Sequence, residues 1–171
     1  RHWRSQYVKE ESKNCEKILD VAAGAGTYTI MLAQAGHKVT WNDISTEAEK
    51  QCRSLARKFG VEDKIDYLLG DFPLLDIPNE SFDCVWMGEI LEHVKDPRVF
   101  IEAAVKVVKP NGKVIISTPI GTSHFVQMHL SIWDDNSILE VLRPWKDHIV
   151  RFEKIAEGNG NPSCYLIVIK K

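Results

Sequence analysis

The chain has 171 residues, 44% of them apolar and 27% charged, a balance that excludes a disordered or fibrous protein. Its 22 Lys and Arg face 24 Asp and Glu, so the basic excess that neutralises phosphates is missing and no nucleic-acid partner is expected. No apolar run approaches the roughly 20 residues that span a bilayer, so no membrane segment is expected either.

The length suits a single domain over residues 1–171, led by a short N-terminal arm at 1–16. Arg1-His2-Trp3-Arg4 leads into charged residues rather than a signal-peptide core, and the missing initiator Met suggests a trimmed or partial chain. In the arm, Trp3 and Tyr7 are expected to pack on the sheet rather than over a ligand. Lys17 to Ala23 reads as a buried strand, followed by a Gly-containing turn and a helix over Thr27 to Gln34. His37 to Asn42 is a second strand. Thr46-Glu47-Ala48-Glu49 has capping-box spacing, and its helix runs toward Gly60. Ile65 to Leu69 and Phe82 to Met87 are the next strands. Phe100, Ile101, Ala104, Val105 and Val108 form one helical face after Pro97. Pro110-Asn111-Gly112 turns the chain into a fifth strand, Lys113 to Thr118. Asp134 or Asp135 caps a short helix through Leu142, and strands over His148 to Ile155 and Cys164 to Ile169 close the chain.

Strands alternating with helices predict a doubly wound, mostly parallel sheet. The connection between the last two strands is too short for a helical crossover, so they form an antiparallel terminal hairpin. Cys15, Cys52, Cys84 and Cys164 form no C-x-x-C pair, which predicts reduced thiols and a cytoplasmic location.

The turn after strand one, Asp20-Val21-Ala22-Ala23-Gly24-Ala25-Gly26-Thr27, places glycines where backbone can turn sharply and a ligand can approach a helix N-terminus. Asp43 follows the second strand, where a carboxylate can accept from both ribose hydroxyls. Together they predict an adenosine-containing cofactor. Thr29 stands where a dinucleotide fingerprint requires its third Gly, which argues against a nicotinamide cofactor.

Ile18 to Gly26 resembles the first motif of class I S-adenosylmethionine-dependent methyltransferases, Trp41-Asn42-Asp43-Ile44-Ser45 the second, and Gly70-Asp71-Phe72 the third. Phe82 to Met87, Glu89 to Pro97 and Lys109 to Lys113 are similar to later segments of that family, in the same order. The nearest branch includes ubiquinone-biosynthesis O-methyltransferases and other small-molecule methylases. The resemblance implies an α/β class I methyltransferase fold with a seven-stranded sheet, and S-adenosyl-L-methionine as cofactor. It also implies that Asp20 holds the methionine amine, directly or through water. Gly24 and Gly26 would pass under the cofactor, Asp43 and neighbouring Ile44 would meet the ribose side, and Asp71 would accept from the adenine amine beside Phe72. Met87 and Gly88 would border the methionine end. Ala22, which would also lie against the cofactor, replaces the family's usual Gly. On this reading Ala22→Gly should bind at least as well, and Gly26→Val should block binding but leave the fold largely intact.

A general base is needed only for an acceptor that keeps its proton. The candidates are His93, just beyond the methionine end, and His124 and His129 in the acceptor-side loop, 119–131, which reads as a lid. No metal is expected, since two of these histidines with Asp134 or Asp135 match no strong ligand motif. The implied reaction is methyl transfer to O or N of a small-molecule or carbohydrate-like acceptor. The short arm leaves room for a further domain or subunit over the site. The rival is a cofactor-binding scaffold of the same fold without turnover.

Overall fold

The computed structural model describes residues 2–121, 128–156 and 160–171. Among them, seven strands form one sheet in the order β3-β2-β1-β4-β5-β7-β6. They are β1 (Lys17–Val21), β2 (Lys38–Asp43), β3 (Ile65–Leu69), β4 (Phe82–Gly88), β5 (Val108–Pro119), β6 (Ile149–Ala156) and β7 (Pro162–Lys170). The first five run parallel, and β7 lies antiparallel between β5 and β6. The chain proceeds from β1 outward to β2 and β3, then returns to the other side of β1 for β4 and β5. That reversal opens a crevice at the carboxyl ends of β1 and β4.

Central parallel strands are covered on both faces, which is why β1 and β4 read as continuous apolar runs. Ile18, Cys84 and Trp86 face α1 (His2–Ser12), α2 (Thr27–Gln34) and α3 (Thr46–Phe59). Leu19, Val21, Val85 and Met87 face α4 (Pro97–Val107) and α5 (Asp135–Leu142). The predicted α/β sheet and its terminal hairpin are therefore present.

Several boundaries differ from the sequence reading. Ser45, not Thr46, caps α3, its hydroxyl accepting from the Ala48 N–H at 3.1 Å. Gly60 ends that helix with φ 65°. Asp134 caps α5 in a reciprocal box with Ser137. β5 begins at Val108, before the Pro110-Asn111-Gly112 excursion, and resumes pairing with β4 at Lys113.

The arm contains an unpredicted helix, α1, packed by Val8 against the sheet. Glu11 ties it down, accepting from Lys113 Nζ at 2.7 Å and Arg151 Nη1 at 2.8 Å. Tyr7 lies under the Arg151 guanidinium, on the sheet as expected. The four cysteines are free thiols, three of them buried. No helix among the described residues is long and apolar enough to cross a membrane.

Candidate functional site

The turn after β1 is held by a web of backbone and buried side chains. Asp43, the last residue of β2, accepts from the Gly24 N–H through Oδ2 at 2.8 Å and from the Ser45 N–H through Oδ1 at 2.9 Å. The buried Trp41 indole donates to the Gly24 carbonyl at 2.8 Å. Asn42 donates to the carbonyls of Leu68 and Gly70, closing the end of β3 onto β2. Asp43 thus spends one lone pair of each oxygen on the protein, and a carboxylate retains further acceptor capacity on both.

The two glycines of the turn do different work. A Cβ on Gly24 would meet nothing within 4 Å. A Cβ on Gly26 would stand 2.2 Å from Cys52 Sγ, so this glycine lets α2 pack against α3. That corrects the expectation that Gly26→Val would spare the fold.

Ala22 adopts φ 53°, the left-handed region. An L residue there costs roughly 1–2 kcal/mol, and glycine gives back roughly 0.5–1 kcal/mol through its freer unfolded chain. Ala22→Gly is expected to stabilise the fold by up to about 1.5 kcal/mol in urea unfolding. A less stable variant would show that methyl packing outweighs the strain.

Asp20 is fully buried, with Oδ2 accepting from Thr29 Oγ1 at 2.6 Å. Burial pushes its carboxyl up to about 7, against the Thr29 hydrogen bonds that pull it down. Thr29, read in the sequence only as a missing glycine, is thus the partner that holds Asp20. Between its ordinary value of 3.8 and about 7, the folded chain keeps a proton that the unfolded chain has released. This contribution to stability is complete below 3.8 and lost as pH rises through about 7. Asp20→Asn keeps the acceptor for Thr29 and removes the charge. Its stability relative to the parent is expected to rise with pH across that window and level off above it, in urea unfolding. A difference that is flat with pH would contradict this.

At the carboxyl ends of the strands lies a cleft of about 520 Å³. Val21, Ala22, Asp43, Ile44, Gly70, Asp71 and Phe72 line one end, and Ile90, His93, Val94, Lys95 and Asp96 line the other. Five of the expected cofactor residues therefore meet there: Ala22, Asp43, Ile44, Asp71 and Phe72. Ile44 is 73% exposed at the mouth and Leu74 82%, an apolar rim that water does not favour. Phe72 is buried against Phe100.

Other expected residues stand elsewhere. Met87 is wholly within the core, and Gly88 is glycine because a Cβ would meet the Trp86 ring at 2.6 Å. Neither lines the cleft, nor do Asp20, Gly24 or Gly26. His124 lies outside the described residues.

His93 faces the cleft, its Nδ1 at 3.2 Å from the Met128 carbonyl. A carbonyl only accepts, so Nδ1 carries the proton and Nε2 presents a lone pair. The His129 ring meets His93 edge-on, with centroids 4.7 Å apart. Glu92, which the sequence offered only as part of a motif, is buried beside them and accepts from Thr118 Oγ1 at 2.9 Å. Burial and nearby Glu89 push its carboxyl up to about 7. Glu89 is engaged by Arg4 at 3.1 Å and by the Ser117 hydroxyl at 3.1 Å. Asp134 and Asp135, the aspartates weighed beside the histidines, are committed to capping α5 and to Lys154 and Tyr165.

The family described as a methyltransferase domain matches residues 19–116. A ubiquinone biosynthesis O-methyltransferase of Idiomarina loihiensis is 38% identical over 104 residues, 60% of this chain and 42% of that protein. The mitochondrial ubiquinone biosynthesis O-methyltransferase of Schizosaccharomyces pombe is 34% identical over 110 residues, 62% of this chain and 40% of its own. The chain thus spans about two fifths of the length of these curated relatives. Among solved structures, the [4+2]-cyclase SpnF matches with TM-score 0.84 at 16% identity, over 99% of this chain and 80% of its own. A Burkholderia thailandensis 1,6-didemethyltoxoflavin-N1-methyltransferase, solved with bound 1,6-didemethyltoxoflavin and S-adenosylhomocysteine, matches with TM-score 0.77 at 18% identity. It covers 98% of this chain and 76% of its own. At such identities, the structural likeness speaks for the fold.

Proposed function

This chain belongs to the class I S-adenosylmethionine-dependent methyltransferases, and from that membership we propose that it transfers a methyl group to O or N of a small-molecule acceptor. The observation that carries the reading is Asp43, at the end of β2 in the crevice of the sheet, with acceptor capacity left on both oxygens. When bound, the cofactor supplies an activated methyl on a sulfonium, so the protein's share is to bind, orient and exclude water.

Asp43 receives the ribose hydroxyls, and Gly24 leaves open the space a side chain would take. Asp71 accepts from the adenine amine, with Ile44 and Phe72 as apolar neighbours. Asp20 fixes the start of α2 through Thr29, and a bound methionine ammonium nearby would favour its ionised form. The acceptor enters at the His93 end, and Nε2 of His93 is oriented to take a proton. His129, in the described part of the 119–131 loop, stands beside His93 at that end. A small aromatic or other apolar acceptor suits the Val94, Val99 and Phe100 wall better than a carbohydrate. The free thiols favour action in the cytoplasm, and a further domain or subunit completes the cover.

The test is transfer of labelled methyl from S-adenosylmethionine to a panel of phenols, catechols and aromatic amines. Transfer is expected to at least one of them, with His93→Gln turning over more slowly at unchanged S-adenosylhomocysteine affinity. Cofactor binding without transfer to any acceptor would favour the scaffold reading, to which the strained Ala22 lends some support.

A further inference from the structure

We propose that Cys15 and Cys84, at the amino end of the sheet, form a reversible oxidation site: a hydroperoxide oxidises Cys15, and Cys84 closes a disulfide on it. The pair lies away from the cofactor cleft, and nothing in it rests on the methyltransferase reading. Cys15 stands in the turn between α1 and β1, and of the four cysteines it alone is not buried. It lines a cavity of about 340 Å³ with Glu10, Glu11, Asp83, Lys109 and Lys113, which gives a small peroxide access to its sulfur.

The backbone brings the second thiol to the same place. Asp83 Oδ2 accepts from the Glu16 N–H at 2.9 Å and the Lys17 N–H at 2.8 Å, which pins the end of the turn to β4. Ile18 then pairs in register with Cys84. The Cys15 N–H donates to the Ser12 carbonyl at 2.8 Å, and His37 Nδ1 lies 2.7 Å from the Cys15 carbonyl, so the residue is fixed on both sides. Its side chain packs on the core cluster that contains Cys84, and the Cys84 S–H donates to the Cys15 sulfur.

That hydrogen bond divides the roles, because the thiolate is the form that peroxide oxidises. Donation from Cys84 holds Cys15 below the ordinary thiol range, against its partial burial. Lys113 adds to the effect, while Asp83 and Glu11 oppose it from their ion pairs with Lys109 and Lys113. Cys84 moves the other way, pushed well up by the bond it donates and by burial. The Cys15 thiolate attacks one peroxide oxygen, the O–O bond breaks, and hydroxide leaves, giving a sulfenic acid. Cys84 sulfur then attacks the Cys15 sulfur as the S–O bond breaks, and the hydroxyl takes the Cys84 proton and departs as water. Two electrons have passed from the thiols to the peroxide, and an external thiol returns them by exchange. Drawing the sulfurs to about 2.05 Å moves residues 13–16, which lie outside every helix and strand. Closing the disulfide keeps Cys15 from the irreversible step to sulfinic acid.

The experiment exposes the folded, tag-free chain to hydrogen peroxide, blocks the remaining thiols with N-ethylmaleimide in denaturant, and maps unreduced peptides by mass spectrometry. A linked Cys15–Cys84 peptide pair, lighter by two hydrogens and released by dithiothreitol, is expected, with Cys52 and Cys164 alkylated. Cys84→Ala should leave Cys15 as a sulfenic acid that dimedone labels, and excess peroxide should carry it on to sulfinic acid. Cys15→Ser should leave Cys84 reduced, and at a partly exposed position it tests the pair even where Cys84→Ala fails to fold. A Cys15 that stays reduced, dimedone labelling of the parent without the bond, or linkage through Cys52 or Cys164 would overturn the proposal. Oxidation of Cys84 in Cys15→Ser would overturn it as well.

Discussion

Asp43→Ala is expected to weaken S-adenosylhomocysteine binding about 10²–10⁴-fold, because two hydrogen bonds to a charged group, each worth roughly 1.5–3 kcal/mol, disappear together. Water entering the gap reduces the loss toward the lower figure. The variant also strips the Gly24 and Ser45 N–H groups of their acceptor, so the turn after β1 loosens and the entrance to α3 loses a tie. Asp43→Asn keeps one acceptor oxygen and should fall between parent and alanine. Calorimetry decides it, with unfolding curves as the control for the turn. A folded alanine variant that binds like the parent would remove Asp43 from the site.

Gly26→Ala is expected to destabilise the fold by about 1–4.5 kcal/mol, two independent costs less the roughly 0.5–1 kcal/mol that alanine regains through its stiffer unfolded chain. Gly26 has φ 82°, which costs an L residue roughly 1–2 kcal/mol. Its new methyl would also stand 2.2 Å from Cys52 Sγ and 3.0 Å from Cys52 Cβ. Such overpacking costs roughly 1–3 kcal/mol, and a χ1 turn of Cys52 would move Sγ away but leave the 3.0 Å contact with Cβ. The double variant Gly26→Ala with Cys52→Ala removes the sulfur but not the backbone strain. It should recover part of the loss in urea unfolding. A single variant as stable as the parent would mean that α2 and α3 can shift apart freely.

The sheet was legible because its central strands must be apolar on both faces, as Ile18-Leu19 and Cys84 to Met87 are. Gly60 and Asp134 marked helix ends for local reasons, a left-handed residue and a capping carboxylate. Helix α1 was not legible. Its sequence is polar around most of its circumference, and it is held by Glu11 to Lys113 and Arg151, partners more than a hundred residues away. Nor does a hairpin reveal which of its strands will border β5; here it is β7.

In the site, Asp43 and Asp71 were legible because they are polar residues at the ends of apolar strands, where a ligand side faces out. The packing role of Gly26 was not legible, because a glycine needed for helix packing looks, in sequence, like one needed for a ligand. Glu92 owes its role to burial against β5, and Thr29 to a buried contact with Asp20 across the turn after β1. No local spacing announces that, although an acid flanked by Leu91 and His93 in an apolar stretch was a signal to ask what neutralises it.

The central claim is that the crevice beyond β1 and β2 is an adenosyl-cofactor site of the methyltransferase type. Titration calorimetry of this chain with S-adenosylhomocysteine and, separately, with NAD tests it most directly. Saturable binding of S-adenosylhomocysteine at one per chain, lost in Asp43→Ala and absent for NAD, is the result predicted. No heat with S-adenosylhomocysteine from the folded parent, or tighter binding of NAD, would contradict it.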